Sequence, residues 1–423
     1  MEIISSYNLI IEVSVIIILS FLFNGISKKT NIPAVLLLIG LGIGLQYILR
    51  SYTSETMDFF PILEVLGIVG LIMIVLEAAL ELELKREKLI PILKSLALAL
   101  IGLMASTWAA AYILFMYIPE MTWESAWLYA TPLSILSSAI IIPSVVGLKG
   151  KKREFHIYES TFSDILGIML FYFLSGKFSP AEDTGLIGFG GNFLLTVAIS
   201  IVSSYAIILI FQNIKSQVKL FLLIAVLLLL YAVGKKMHLS SLIIILIFGL
   251  VIANMRIFFQ GKLAKWVNFE KAHHIYHELH IITAETAFVV RTFFFVIFGL
   301  TIAITSLFSF EVALISTLLI LSIYAIRFVL LLIFEGRDIL PQVFIAPRGL
   351  ITVLLFYAIP VEAQIASFEP GILLFVIIGT SLIMTFAMIY EKKRSSKALK
   401  VAESRGVGSV KWKVPSVLEQ KAE

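Results

Sequence analysis

The sequence predicts an all-α membrane protein that crosses the bilayer many times. Of the 423 residues, 60% are hydrophobic and only 14% are charged, and the mean hydropathy is +1.01. A soluble domain is roughly 45–50% apolar, so this composition excludes an ordinary soluble protein. Apolar runs of about 20 residues, long enough to cross about 30 Å of hydrocarbon as a helix, recur along most of the chain.

These runs predict about thirteen transmembrane helices. Their approximate spans are 6–26, 33–50, 61–82, 91–118, 125–148, 157–175, 187–212, 218–234, 239–257, 281–305, 310–335, 341–360 and 369–390. The first run follows Met1-Glu2 instead of a basic segment, so we expect a retained helix and not a signal peptide. We therefore predict a transmembrane domain over residues 1–390 and a short basic cytoplasmic tail over 391–423.

The positive charges predict the orientation of the chain. Most of the 33 lysine and arginine residues fall in loops on one side of the predicted helices. Cytoplasmic loops carry this excess in membrane proteins, so we expect a cell (inner) membrane protein with its amino terminus outside and its carboxyl terminus in the cytoplasm. The lysines and arginines of these loops account for the net charge of +5. The sequence has no basic stripe of the kind that binds nucleic acid, so we expect no nucleic-acid partner. Zero cysteines exclude disulfides and thiolate metal sites.

The fifth and twelfth predicted helices carry residues typical of broken helices. Pro132 and Pro143 flank a serine-rich stretch in the fifth, and Pro347-Arg348-Gly349 interrupts the twelfth. A broken helix exposes backbone groups inside the membrane that can ligate an ion. The alternative is that proline and glycine are simply common in membrane helices. The matched positions predict two inverted-topology repeats of six helices, one to six and eight to thirteen, with the seventh as connector.

Asp164 lies inside the sixth predicted helix and is the main candidate for an ion site. A carboxylate at membrane depth costs about 2.5–3.5 kcal/mol, so such residues usually face a water-filled cavity and function there. Burial favours the protonated carboxyl and a nearby cation favours the carboxylate, so proton and cation would compete for this residue. The alternative is a structural carboxylate paired with an arginine. Oxygen ligands suit a hard cation, and the other predicted ligands are the hydroxyls of Ser163, Ser160, Thr131 and Ser137.

Four segments taken together resemble the monovalent cation:proton antiporter superfamily, closest to its sodium/proton branch of the NhaP type. They are Glu159-Ser160 followed by Ser163-Asp164, the segment from Leu76-Glu77 to Glu81-Leu82, the Phe293–Leu300 run and Pro347-Arg348-Gly349. The resemblance covers roughly residues 6–390. It implies an antiporter, not an enzyme, that works in pH homeostasis, exchanges Na⁺ (or Li⁺ or K⁺) for H⁺ and needs no cofactor.

The resemblance also implies how the helices are divided. A core would contain helices at about 91–175 and 310–390, and a dimer and scaffold part would contain those at about 6–82 and 187–305. The protein would then be a homodimer in membrane lipid. Family members pair a glutamate and an arginine at the positions of Glu159 and Arg327, which implies a structural ion pair in the core.

The residue before Asp164 departs from the family pattern. Family members have Asn-Asp or Asp-Asp, whereas this chain has Ser163-Asp164. Only one carboxylate of the pair is present, so the resemblance favours one-for-one, electroneutral exchange. A K⁺/H⁺ antiporter and a cation channel are the alternatives, and the chain has no repeated carbonyl-filter motif to favour a channel.

Four histidines, His273, His274, His277 and His280, cluster before the tenth predicted helix. Histidine titrates near neutral pH, which makes the cluster a possible cytoplasmic pH sensor. A first alternative is an amphipathic loop helix that lies on the membrane with Trp266. A second is a zinc site, since His273 and His277 are one turn apart.

Three more charged residues lie within predicted helices. Arg348 either satisfies exposed carbonyls at the twelfth helix break or extends towards the cytoplasm. Arg291 is about 120° from Glu285 around the same helix, so we expect it to reach the cytoplasmic face instead of pairing with that residue. Glu77, near the end of the third helix, is a secondary site candidate.

Overall fold

Helices form the regular structure of the protein, and the residues that the structure describes contain no β-strand. The structure is a computed structural model that describes residues 6–404, apart from 31, 53–59, 83, 85, 146–147, 149, 179–184, 215–218, 238–240, 262 and 302–308. The all-α fold predicted from composition and hydropathy is therefore confirmed. The part of the predicted tail beyond residue 404 lies outside the described residues.

The helices follow the order of the predicted spans. In the first half they are α1 (Ser6–Thr30), α2 (Ala34–Tyr52), α3 (Phe60–Glu81), α4 (Leu89–Tyr117), α5 (Trp123–Ser134), α6 (Ser138–Ser144) and α7 (Gly150–Gly176). The remainder are α8 (Gly185–Phe211), α9 (Lys219–Lys236), α10 (Ser241–Ala253), α11 (Met255–Phe258), α12 (Phe269–Thr301), α13 (Phe310–Glu335), α14 (Leu350–Tyr357) and α15 (Gly371–Ser404).

Many of these helices are suited to cross a membrane. Within the described residues, 7 helical spans are long and apolar enough, and 3 shorter apolar helices accompany them. Large apolar side chains such as Phe21, Phe221, Ile333 and Phe386 remain exposed, as expected for surfaces that face lipid. The chain is a multi-pass membrane protein, and the total of thirteen spans stays a prediction.

Three helices extend well beyond the hydropathy-based predictions. α7 begins at Gly150 instead of residue 157, α12 begins at Phe269 instead of 281, and α15 ends at Ser404 instead of 390. Each extension is rich in charged and polar residues, which end an apolar run without ending a helix. Lysine, arginine and glutamate are good helix formers, so the helices continue past the hydrocarbon.

The ninth predicted span is also interrupted. Asn254 separates α10 from α11, and its side chain binds the backbone beyond the end of α3. Its Oδ1 accepts a hydrogen bond from the Leu84 amide at 2.6 Å, and its Nδ2 donates to the Leu82 carbonyl at 2.8 Å. An asparagine that bonds to backbone groups competes with the helix, which explains this missed interruption.

The helices pack in two sets. α4 packs against α5, α7 and α13, and α13 packs against α15. α12 packs against α2 and α3, while α10 packs against α3, α8 and α9. Glycine allows the closest of these contacts, because a Cβ placed on Gly299 would lie 2.5 Å from the Ile39 carbonyl oxygen and 3.0 Å from the Gly42 Cα. Small residues at such positions allow membrane helices to approach backbone to backbone.

Candidate functional site

Two interrupted helices cross beside the candidate site. Residues 135–137 separate α5 from α6 in an extended conformation, and residues 345–349 are non-helical before α14. The Ser137 amide donates a hydrogen bond to the Pro347 carbonyl at 3.0 Å, which joins one interruption directly to the other. Both predicted interruptions are therefore present, and they meet.

Gly349 makes this crossing possible. A Cβ at this position would lie 2.5 Å from Ser137 Oγ and 3.0 Å from the Ile140 side chain. Any larger residue would push the two interrupted helices apart. The glycine of the Pro-Arg-Gly segment thus has a packing role at the crossing.

Arg348 satisfies the carbonyls that the interruptions expose. Its side chain is buried, and it donates through Nε to the Leu133 carbonyl at 2.8 Å and through the two terminal nitrogens to Ala346 (2.8 Å) and Ser134 (3.2 Å). The last turn of α5 has lost its usual helical donors, and this guanidinium replaces them. The first interpretation of Arg348 is therefore correct, and extension towards the cytoplasm is wrong.

Asp164 lies on α7 against the start of α6. The residue is 2% exposed, and its Oδ2 accepts a hydrogen bond from the Ser138 amide at 3.3 Å. Its Oδ1 is buried and has no hydrogen-bond partner among the described residues. One carboxylate oxygen is thus hydrogen-bonded to the broken helix, and the other is free to accept a proton or a cation. Ser138 is the contact that sequence reasoning missed, although its place as the first residue after the break was a usable signal.

The predicted hydroxyl ligands are buried, and the structure gives three of them other contacts. Ser163 Oγ accepts a hydrogen bond from the Leu136 amide at 3.0 Å, so it supports the interruption between α5 and α6. The hydroxyls of Ser160 and Thr131 donate to carbonyls one turn earlier in their own helices, at 2.7 and 2.8 Å. Ser137 lies at the crossing through its amide. Each hydroxyl oxygen keeps at least one acceptor lone pair.

The structure brings Glu159 and Arg327 into a bidentate ion pair. The two terminal nitrogens of Arg327 donate to the two carboxylate oxygens of Glu159 at 2.7 and 2.9 Å, and its Nε donates to the Gln342 carbonyl at 3.0 Å. His156, buried one turn before Glu159, places Nδ1 3.3 Å from the same carboxylate. Sequence reasoning missed this histidine, since a single histidine in a helix carries no pattern.

A small cavity separates this pair from the helix crossing. It has a volume of about 30 Å³, room for roughly two water molecules, and its polar lining includes Ser134, Glu159, Ser163, Arg327 and Arg348. The remaining lining comes mainly from apolar residues of α4 and α13. The core pair and the crossing therefore share one small buried space.

A second ion pair joins α12 to α3 beside α6. Arg291 of α12 donates to Glu77 of α3 at 2.9 Å, which overturns the expectation that Arg291 reaches the cytoplasmic face. A long basic side chain inside the membrane finds its lowest energy beside an acid, and Glu77 lies within its reach. Both residues line a cavity of about 50 Å³, whose opposite wall includes Ser138.

The four predicted sensor histidines lie on the first turns of α12. His273, His274 and His277 are exposed and His280 is half-buried. The separate loop helix predicted for this segment is wrong, because the segment is continuous with the tenth span. Among the described residues, no group of three or more histidine, aspartate or glutamate side chains is arranged to hold a metal ion.

Comparison with known proteins assigns the chain to a family. A model of the family described as "Sodium/hydrogen exchanger, transmembrane" matches residues 15–390. The match covers most of the chain, so this protein belongs to the sodium/hydrogen exchanger family. Members of this family are membrane transporters that exchange a cation for a proton, which confirms the resemblance to cation:proton antiporters. No curated protein sequence matches the chain at a significant level.

Solved structures support the same fold. The sodium proton antiporter MjNhaP1 from Methanocaldococcus jannaschii, determined at pH 8, matches with a TM-score of 0.67 and 18% sequence identity, over 92% of this chain and 99% of the antiporter. The structure of the same antiporter from an electron-microscopy map matches with a TM-score of 0.65 and 19% identity, over 94% and 98%. At this sequence identity the similarity shows the fold and does not assign the residues of the site.

Proposed function

We propose that this protein exchanges Na⁺ for H⁺ across the membrane by competition at Asp164. The observation that carries the proposal is the state of this carboxylate, which is buried, held on one oxygen by the Ser138 amide and open on the other. An open, buried carboxylate oxygen takes a proton or a cation, but not both together. The similarity to a sodium proton antiporter supports Na⁺ as the first cation to test.

Competition at one site couples the two ions. A cation can bind only after the proton has left, and the proton can return only after the cation has left. If the binding site changes its exposure only when it is occupied, a gradient of one ion moves the other without a separate gate. The oxygens of Ser160, Thr131 and Ser137 stay predicted ligands, and Ser163 contributes by supporting the break that presents the Ser138 amide.

We further propose that the exchange is electroneutral. Ser163 precedes Asp164, so the site has one carboxylate at the position where some relatives have two. One carboxylate carries one proton or one monovalent cation, and equal charges then cross in each direction. An imposed membrane voltage should leave the rate of such an exchange unchanged.

The proposed arrangement follows the packing of the helices. α4, α5, α7, α13 and α15 pack together and carry Asp164, Glu159 and Arg327, which supports a moving core. α2, α3, α10 and α12 pack together and support a scaffold through which two copies would pair as a homodimer. The inverted repeats and an inner-membrane orientation with the carboxyl terminus in the cytoplasm complete the proposal.

Vesicle exchange tests the function directly. Purified protein is reconstituted with a pH-sensitive dye inside the vesicles, and Na⁺, Li⁺ or K⁺ is added outside in separate experiments. We expect the internal pH to rise when Na⁺ is added, because protons leave the vesicles as Na⁺ enters. This rise should be lost in Asp164→Asn. The matched control is Asp338→Asn, because Asp338 is an exposed carboxylate paired with Lys152 and should be dispensable.

The outcomes separate the proposed function from its alternatives. Exchange that is fastest with K⁺ would identify a K⁺/H⁺ antiporter. A cation current without movement of protons would identify a channel and overturn antiport. Native exchange by a folded Asp164→Asn variant would overturn the assignment of the site.

A further inference from the structure

Arg291 and Glu77 line a small cavity that also contacts Ser138, the residue bonded to Asp164. The cavity of about 50 Å³ is lined on one side by Glu77, Glu81 and Arg291, and on the other by Ser138. The Ser138 amide is bonded to Asp164, so the wall of this cavity is the edge of the proposed site. The volume holds roughly three or four water molecules, enough to admit a partly hydrated cation.

The hydrogen bonding of Arg291 is incomplete. Within the described residues, a terminal nitrogen of Arg291 donates to Glu77, and its Nε is buried without a hydrogen-bond partner. A guanidinium has five donors, so this one keeps unused donor capacity, and the residue lines the cavity. Its charge also interacts electrostatically with Asp164. Glu81 is half-buried on the same wall and interacts with the charges of Glu77 and Arg291.

We propose that Arg291 determines the cation affinity of the exchanger, as a positive charge held in the cavity that borders Ser138 and balanced by Glu77. This inference rests on the proposed exchange at Asp164. An arriving monovalent cation carries the same charge as Arg291 and is repelled by it, while Glu77 attracts that cation. The affinity of the site therefore depends on how far each member of the pair cancels the other.

The two partners must then have opposite effects on transport. Removing the charge of Arg291 leaves Glu77 as an uncompensated carboxylate in the cavity, which strengthens cation binding. Removing the charge of Glu77 leaves Arg291 uncompensated, which weakens cation binding. A pair that only stabilised the fold would behave differently, because either change would break it and both would harm the protein in the same way.

A double-mutant cycle in vesicles tests the proposal. The variants are Arg291→Gln, Glu77→Gln and the two together, and the KM for Na⁺ is measured at alkaline pH, where protons compete least. We expect the KM to fall roughly fivefold in Arg291→Gln and to rise roughly fivefold in Glu77→Gln, the size expected for one charge acting across a partly hydrated site. The double variant should return close to the native KM, because neither charge remains.

Three further variants serve as controls. Arg291→Lys keeps the charge and should keep a KM near the native value. Lys94→Gln removes one positive charge from another ion pair, Lys94 with Glu335 at 2.8 Å, which does not line the cavity, so its KM should not change. Asp164→Asn added to Arg291→Gln should abolish exchange, since the proposed site is then missing.

Shifts of KM in the same direction in both single variants would overturn the inference. So would a KM that stays native in a folded, active Arg291→Gln protein. Neither result touches the proposed function, which fails only if exchange survives the loss of Asp164. If Arg291→Gln alone does not fold, the double variant against Glu77→Gln still tests whether the charge at this position controls the KM, because these two proteins differ only at residue 291 and the double variant should have the lower KM.

Discussion

The core pair Glu159–Arg327 and the cavity pair Glu77–Arg291 have the same composition and very different surroundings. In the core pair the side chains are 1% and 7% exposed, the contact is bidentate, and a third donor binds the Gln342 carbonyl. In the cavity pair they are 21% and 18% exposed, and a single nitrogen makes the contact. Both pairs line a cavity, but the core pair is almost fully buried beside one of about 30 Å³, whereas the cavity pair is about a fifth exposed beside one of about 50 Å³.

The difference shows how surroundings assign a role to an ion pair. A buried pair with complete hydrogen bonding holds its helices together, because removing one charge strands the other without water. A more exposed pair with a single hydrogen bond is less desolvated, so removing one charge costs less stability and instead changes the local potential. The core pair should therefore control folding, and the cavity pair should control ion binding.

Breaking the core pair should give the largest effect. Glu159→Gln removes the carboxylate from Arg327 and should lower the free energy of unfolding by about 3–5 kcal/mol. The measurements are the melting temperature in detergent and the yield of folded protein. Replacing both residues, as in Glu159→Leu with Arg327→Met, should recover much of the loss, since no charge is stranded. A single variant as stable as the native protein would contradict the structural role.

Removing the guanidinium at the crossing should give the next largest effect. Arg348→Met leaves the carbonyls of Leu133 and Ser134 without their donor and should cost about 3 kcal/mol. Thermal unfolding measures this loss, and Arg337→Met is the matched control because Arg337 is exposed. If the two variants have the same melting temperature, the carbonyls have other donors and Arg348 does not stabilise the crossing.

A smaller effect is expected at Ser163. Ser163→Ala leaves the buried Leu136 amide without its acceptor and should cost about 1–2 kcal/mol. Ser160→Ala is the matched control on the same helix, because its hydroxyl donates to carbonyls that already serve the helix. We expect a clearly lower melting temperature for the Ser163 variant than for the Ser160 variant. The reverse order would show that Ser163 does not support the break.

The smallest loss of stability should come from the cavity pair. Glu77→Gln and Arg291→Gln should each lower the free energy of unfolding by about 1 kcal/mol or less. The same melting measurements compare them with Glu159→Gln. A loss as large as that of the core pair would remove the distinction between the two pairs, and with it the electrostatic role of Arg291.

Hydropathy was enough to predict the order and approximate position of the helices. Apolar length is set by the bilayer, so it is visible in a single sequence. The ends of α7 and α12 were missed because charged residues continue a helix outside the hydrocarbon. The interruption at Asn254 was missed because it depends on contacts with Leu82 and Leu84, far away in the chain.

The candidate site was predictable only in part. Asp164 was identifiable by itself, because an acid in an apolar helix is costly wherever it lies. The pairing of Glu159 with Arg327 came from a family resemblance and not from the residues alone. The contacts of Arg348 with Leu133 and of Arg291 with Glu77 could not be predicted, because each joins residues more than 200 positions apart.

The length of α12 has a mechanical consequence. Its 33 residues form an unbroken rod of about 50 Å, whereas the hydrocarbon layer measures about 30 Å. The rod carries the exposed histidines at one end and Arg291 two-thirds of the way along. Near the histidines it is tied to α9 through Glu278 and Lys219, 3.0 Å apart. Any ligand that tilts or turns the protruding end must move Arg291 with it, because no joint lies between them.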